Sequence, residues 1–546
     1  MKKLRIATGA FGVVALTAAT LVSLGPLAKP ALASHTKPSC KELLLCTEVS
    51  DNNAAFGNYY VGHDEPVVEF YSNLNGAGYR QQYNVTMPIE PAGPTSKTNG
   101  YDFELHPAFW FGVAMCDTQS YPEQRKTCTP DSDTNIVDPT KTTSAAGVAF
   151  EELQFYPPGW IRQFAGSSCD PTRWCVALTI DSLSEDPIAG TTLNQGCQNQ
   201  ILGGIEYVNF AFLTLDGVPL GPPNPKDFDA STSGNPQLNG GADTFFLNQG
   251  DKAVVKLYDT PSGLTTTVQD VNTGKTGIMT ASASNGFGHI LYDPAGTSCT
   301  MQHYTFHPMY ATSSPQTRVL WAAHSYNVAF SDEIGHFDFC TSIDPNSPES
   351  SCNGKEGIPG DQEPADGDDN FCFASQMAMK YHVGGCEDSN VPGFDGTSYQ
   401  HYWPNGTASN PTTIEFSTPL TSQDGTHFNS RYPRYAFEAD LPRIEPGCQR
   451  FLAKPNPGQG CTNPPVTDDG APATFYPYFS TITPSGSTTG CAWGIGETLP
   501  NTINNFGGSS AEFGPLYALT YWTFGGGGAT DQRYNDYNTG KQTNPC

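Results

Sequence analysis

Residues 251–284 read D-K-A-V-V-K-L-Y-D-T-P-S-G-L-T-T-T-V-Q-D-V-N-T-G-K-T-G-I-M-T-A-S-A-S. Short β-branched and apolar runs at Ala253–Tyr258, Thr265–Asn272 and Gly277–Ser284 are separated by turn residues, with Thr273-Gly274 between the second and third. This punctuation predicts a meander of three strands. Working outward, the same signals predict strands at Pro66–Tyr71, Gly147–Tyr156, Trp174–Asp181 and Tyr207–Leu215. Another is expected over Tyr101–Val113, with a break at Pro107, because proline cannot donate to a ladder. Beyond residue 299 the expected strands are Tyr304–His307, Val319–Ala323, Tyr326–Phe330, Gly335–Phe339, Ala473–Ile482 and Pro515–Phe524. The chain has 56 Gly and 45 Pro, which break helices, and 25 Tyr and 31 Phe, which favour strands. No long helix is predicted. The expected fold is all-β, as one large sandwich with elaborated loops or two packed sandwiches.

The first 33 residues have the form of a secretory signal. Lys2, Lys3 and Arg5 precede an apolar stretch over Ile6–Leu27, and Ala31-Leu32-Ala33 offers a small-residue cleavage site before Ser34. The reading that follows is a secreted, extracellular protein without a membrane anchor. The chain carries a net charge of −27, and removing Lys2, Lys3, Arg5 and Lys29 with the signal takes this to −31. Such an excess repels nucleic acid and anionic membranes and excludes both as main partners.

Sixteen cysteines follow the signal, with no C-x-x-C among them. In chain order they pair as Cys40/Cys46, Cys116/Cys128, Cys169/Cys175, Cys197/Cys299, Cys340/Cys352, Cys372/Cys386, Cys448/Cys461 and Cys491/Cys546. Mostly short gaps suit disulfide-stapled loops in an exported protein better than a redox motif. Residues 341–370 are almost free of apolar side chains and dense in Pro, Gly and Asp, the composition of a linker or insertion. This divides the mature chain into a β-sandwich region over 34–300 and a second β-rich region over 301–546. Phe103–Phe109 and Tyr304–Tyr310 echo one another, each an aromatic-rich strand running into His-Pro. Either a duplicated sandwich or two similar strand ends in one sheet accounts for the echo.

Two groups of residues resemble parts of the concanavalin A-like sandwich family, nearest the glutamic peptidases (eqolisins). Gly250-Asp251 followed by A-V-V-K-L-Y-D, Thr266–Val271 and Asn272-Thr-Gly-Lys-Thr276 is similar to that group's strand and hairpin pattern. Glu152-Leu-Gln-Phe-Tyr156-Pro157 and Phe109-Trp110-Phe-Gly112 resemble its acidic-aromatic strand and its Trp-x-Gly segment. The resemblance implies a jelly-roll sandwich and an acid peptidase. The chain departs from the pattern where the catalytic Glu is due, since Ser284–Tyr292 contains no acid, and no counterpart of the catalytic Gln is identifiable. The whole chain also resembles a type of uncharacterised secreted protein of Gram-positive bacteria, which implies no activity.

In a strand over Ala149–Tyr156, side chains alternate, so Phe150, Glu152, Gln154 and Tyr156 share one face. A carboxylate and an amide beside Tyr156, Trp160 and Trp110 suit the floor of a sugar-binding cleft. Hydrolysis needs a second carboxylate, at about 5–5.5 Å for retention or about 6.5–9.5 Å for inversion. Asp181, Glu69 and Glu104 are the candidates. An ordinary polar sheet face with structural hydrogen bonds is the alternative. His307, His324, Asp332, Glu333 and His336 fit no compact metal motif, and satisfied core or edge residues are their plainer reading. Asp366, Asp368 and Asp369 precede Cys372, while Asp388 and Asp395 follow Cys386. A Cys372–Cys386 bond gathers these acids into one loop system, where a structural Ca2+ offsets their repulsion. A solvated acidic loop is the alternative. No Walker A, G-x-S-x-G or dinucleotide motif is present. The expected function is binding or hydrolysis of an extracellular polysaccharide or cell-wall glycan, with Trp110, Trp160, Trp174 and Trp403 read as exposed-type aromatics. An acid peptidase and a non-enzymatic structural protein are the alternatives.

Overall fold

The computed structural model describes residues 67–89, 103–120, 148–156, 170, 172–183, 185–186, 191–192, 194–198, 206–227, 243–308, 320–321, 324–325, 328–339, 355–356, 363–364, 381–384, 414–440, 480–482, 492–494, 502–503, 516–523, 528–544 and 546. Their regular structure is nearly all antiparallel β, with a helical turn at Gln195–Gln198 and a 3-10 turn at Ala283–Asn285. Along the chain, β1 is Val67–Tyr71, β2 Arg80–Thr86, β3 Phe103–Cys116, β4 Val148–Tyr156, β5 Trp174–Leu183 and β6 Glu206–Phe212. The meander supplies β7 (Lys252–Thr260), β8 (Gly263–Asp270) and β9 (Thr276–Thr280). Then come β10 (Ala329–Phe339), β11 (Glu415–Phe416), β12 (Arg434–Asp440), β13 (Ser480–Ile482) and β14 (Ala492–Gly494). The last are β15 (Thr502–Ile503), β16 (Leu516–Thr523) and β17 (Gly528–Thr543).

Two large sheets result. The larger runs β16-β17-β12-β1-β10-β3-β4-β5-β6, and the smaller runs β9-β8-β7-β2-β11-β14-β13-β15. Both take strands from either side of residue 300, and β10 is inserted between β1 and β3. A boundary near 300–345 therefore does not separate the sheets. His307–Pro308 pairs with β3 at Cys116 and Met115, so both His-Pro strand ends lie in one sheet.

The meander closes through the chemistry of its turn. Gly274 has φ +74°, which a side chain disfavours, and Asp270 Oδ1 accepts from the Asn272 and Thr273 backbone N–H groups. Three elements differ from expectation. β3 runs unbroken through Pro107, because the register with β10 shifts between Glu333 and Gly335 at that point. The irregularity accommodates a residue that cannot donate. β10 is continuous where two strands are expected. The polar run of β2, R-Q-Q-Y-N-V-T, is a strand whose Gln81, Tyr83 and Val85 are buried while the alternate residues are not.

One hydrophobic cluster draws on both sheets. Tyr83 of β2 meets Phe111 of β3 at 4.4 Å, Phe330 of β10 stacks on Phe416 of β11 at 3.9 Å, and Phe70 of β1 meets the edge of Trp493 of β14 at 6.0 Å. Trp110 and Trp174, whose sequence setting suggests exposed aromatics, are both buried, and Trp174 lies in this cluster and donates to the Pro88 carbonyl at 3.3 Å. The described parts of β3, β4 and β5 are buried on both faces, whereas the smaller sheet keeps one face partly open.

Candidate functional site

Alternation in β4 sends Leu153 and Phe155 into the cluster between the sheets, so Phe150, Glu152, Gln154 and Tyr156 project from the opposite face. Register then assembles a row across the sheet: Glu69, Ala329, Gly112, Glu152 and Thr179, on β1, β10, β3, β4 and β5. The adjacent row holds Ser331, Trp110, Gln154 and Ala177. Gly112 is required here. A Cβ at that position would sit 2.5 Å from Trp110 Cζ3, so the indole lies over the strand backbone between Glu69 and Glu152.

Each carboxylate of the row is held by neighbours on its own strand. Gln154 Nε2 donates to Glu152 Oε2 at 2.5 Å, and the Tyr156 hydroxyl donates to Gln154 Oε1. On β1 the Tyr71 hydroxyl donates to Glu69 Oε2. A carboxylate oxygen accepts, so the amide turns its nitrogen to Glu152 and its oxygen to the Tyr156 hydroxyl. Asp181 lies two residues beyond Thr179 on β5, diagonally across from Glu152. Diagonal neighbours are about 7–8 Å apart. Glu69 is three strand spacings from Glu152, roughly 14 Å. Of the candidate partners, Asp181 is therefore the one that shares a face with Glu152 on the neighbouring strand. Glu69, Glu152, Gln154, Tyr156, Trp110 and Asp181 are all buried.

Glu151 goes the other way. Its neighbours in register are Val113 and Ile180, both in the cluster between the sheets. Neither carboxyl oxygen has a hydrogen-bond partner among the described residues. Burial, reinforced by the charge of Glu152, pushes its pKa well above the ordinary 4.5. Glu151 in turn helps to raise the pKa of Tyr83, behind burial and the neighbouring Tyr432. Sequence reasoning missed this group, although adjacent acids in a strand buried on both faces force one of them inward.

A second unforeseen pair lies at the end of β3. Asp117 Oδ1 is 2.7 Å from His289 Nδ1, both side chains are buried, and the imidazole stacks on Tyr304 at 4.4 Å. Burial pulls the His289 pKa down, but the charge of Asp117 and the hydrogen bond to it outweigh that and leave it raised. A raised histidine stabilises most below its unfolded pKa, near 6.5, and loses that contribution as pH climbs through the folded value. Asp117→Asn is expected to cost about 1–1.5 kcal/mol at pH 6, the difference between a charged and a neutral hydrogen bond. The deficit should shrink by pH 9, as read from melting curves of the variant and wild type.

Other predicted residues are placed as follows. His307 Nδ1 is 2.7 Å from Asp259 Oδ1, which ties it to β7. Glu104, Asp332, Glu333 and His336 occupy the β3–β10 pairing, and His324 pairs with Trp321. Trp160, Trp403 and the acids Asp366, Asp368, Asp369, Asp388 and Asp395 lie outside the described residues. Cys197 and Cys299 are joined, with Cα atoms 4.6 Å apart, while Cys116, Cys175 and Cys546 are each in a disulfide. Cys40, Cys46, Cys128, Cys169, Cys340, Cys352, Cys372, Cys386, Cys448, Cys461 and Cys491 lie outside the described residues, as does the signal segment. Among the described residues, no helix is long and apolar enough to cross a membrane.

Comparison with models of known families, with characterised proteins and with solved structures gives no match.

Proposed function

We propose that this chain is a secreted protein of the concanavalin A-like or jelly-roll sandwich type whose larger sheet binds and cleaves an extracellular polysaccharide. The observation that carries this is the diagonal placement of Glu152 and Asp181 on one face, beside the indole of Trp110. The backbone spacing of such a diagonal pair, about 7–8 Å, is compatible with an inverting arrangement, whose carboxyl groups stand about 6.5–9.5 Å apart. Glu152, held by the Gln154 amide, is the base that activates water, and Asp181 is the acid that protonates the leaving oxygen. Trp110 offers an aromatic face to a sugar ring. The row is closed to solvent, so ligand entry requires the face to open, and binding is expected to be slow and steeply temperature-dependent.

The bonded Glu152–Gln154 pair favours one second reading, an acid peptidase. Purified protein should be incubated with cell-wall and plant polysaccharides and, in parallel, with denatured protein at acid pH. Reducing-sugar release with inverted anomeric configuration is the expected result. Peptide release alone transfers the row to the second reading, and inactivity on both substrates, with no signal on a glycan array, removes both.

A further inference from the structure

The outward face of the smaller sheet gathers three cations, Arg80, Lys252 and Lys256, in a chain of net charge −27. The chain has 54 acidic and 27 basic residues, so a cation here has many carboxylates available to it. Arg80, Lys252 and Lys256 nevertheless have no ion-pair partner among the described residues. All three project outward because the alternate residues of β2 and β7, Tyr83, Val85, Val255 and Leu257, fill the core. Register places Lys256 between Thr267 and Gln82, and Arg80 beside Tyr258 and Thr265. No acid stands in these two rows. Glu415 lies two strands from Lys252, beyond Thr86, and Asp424 is bound instead to Thr426 and His427. Lys256 Nζ sits 5.4 Å from the Phe428 ring centroid, and the Arg80 guanidinium 4.9 Å from that of Tyr79, so both cations are held on aromatic rings.

We infer that this face is a docking surface for an acidic polysaccharide of the polyuronate type. Its cations attract carboxylates, and Thr267, Gln82 and Tyr258 can hydrogen-bond ring hydroxyls. The aromatic rings suit pyranose better than the acyclic backbone of a polyol phosphate. Cations left unpaired in an acid-rich chain add attraction that is not cancelled locally, and the net negative charge confines a polyanion to this patch. The surface lies on a different sheet from the Glu152 row and does not depend on the reading given to that row.

Retention of the full chain on immobilised polygalacturonate, neutral dextran and polyphosphate tests the inference. Selective retention on polygalacturonate, falling as salt rises through the range where the Debye length drops below about 8 Å, is expected. Arg80→Glu/Lys252→Glu/Lys256→Glu should weaken it about tenfold or more, and the milder Gln triple less. Equal retention on dextran, stronger retention on polyphosphate, or unchanged retention by a folded triple variant overturns the inference. The wild-type salt titration decides the matter even if the reversal variant fails to fold.

Discussion

Asp181→Asn and Glu152→Gln are each expected to slow polysaccharide hydrolysis by about 10²–10⁴-fold, the usual contribution of a positioned acid or base. Both changes keep shape and remove a proton-transfer group, so neither should unfold the protein. The two losses should differ in kind. Asp181→Asn removes the proton delivered to the leaving oxygen, so aryl glycosides with a good leaving group should recover much of the rate. Glu152→Gln removes the group that activates water, so no leaving group should rescue it. Gln154→Ala should fall between wild type and Glu152→Gln, because it takes away the donor that fixes the Glu152 carboxylate and leaves the Tyr156 hydroxyl without its acceptor. If both carboxylate variants keep wild-type rates on natural polymer, the proposed pair is not the catalytic one.

The second large effect concerns stability. Glu151→Gln is expected to stabilise the protein at neutral pH, and Glu151→Met to stabilise it further, by about 1–3 kcal/mol or more relative to the buried unpaired carboxyl. The sign follows from proton binding. Below the ordinary value of 4.5 both folded and unfolded chains hold the proton. Above it the unfolded chain releases the proton while the folded chain, with its raised pKa, retains it. Stability therefore declines by about 1.4 kcal/mol per pH unit from pH 4.5 up to the folded pKa and is constant above it. Denaturant midpoints at pH 4, 5.5 and 7 should show that decline in wild type and not in either variant. A wild-type profile flat across this range, or variants no more stable at pH 7, would contradict an unpaired carboxyl in the core.

Local pattern made much of the β architecture legible. The alternation A-F-E-E-L-Q-F-Y placed Phe150, Glu152, Gln154 and Tyr156 together, and T-G at 273–274 identified the meander's turn, because period two and positive φ are properties of a few consecutive residues. The partners of Glu152 were less legible. Asp181, Glu69 and Glu104 were equivalent candidates along the chain, and strand order and register separate them: β5 is adjacent to β4, β1 is three strands away, and Glu104 lies eight residues along β3 from Gly112, the partner of Glu152. The role of Gly112 was invisible too, since its need arises from the Trp110 ring lying over it.

Two misreadings share a cause. Trp174 reads as an exposed aromatic and the polar β2 does not read as a strand, yet both contribute to the inter-sheet core. Composition near a residue reports the polarity of its neighbours in sequence, whereas burial depends on what faces it across a gap of about 10 Å between packed sheets. In the same way, the adjacent acids Glu151 and Glu152 are alike in sequence and opposite in environment, and strand alternation in a sheet covered on both sides is what divides them.

By itself, then, the amino-acid sequence determined the all-β class, the meander and which side chains of β4 lie together, because these follow from steric preferences acting over two to four residues. Only the tertiary structure decided that β10 joins β1 to β3, that the strand of Asp181 pairs with the strand of Glu152, that Asp117 meets His289 across 172 residues, and that Arg80, Lys252 and Lys256 share one face of the smaller sheet. Those arrangements depend on which strands pair. Pairing is set by the burial of a whole apolar surface rather than by any local stretch of chain.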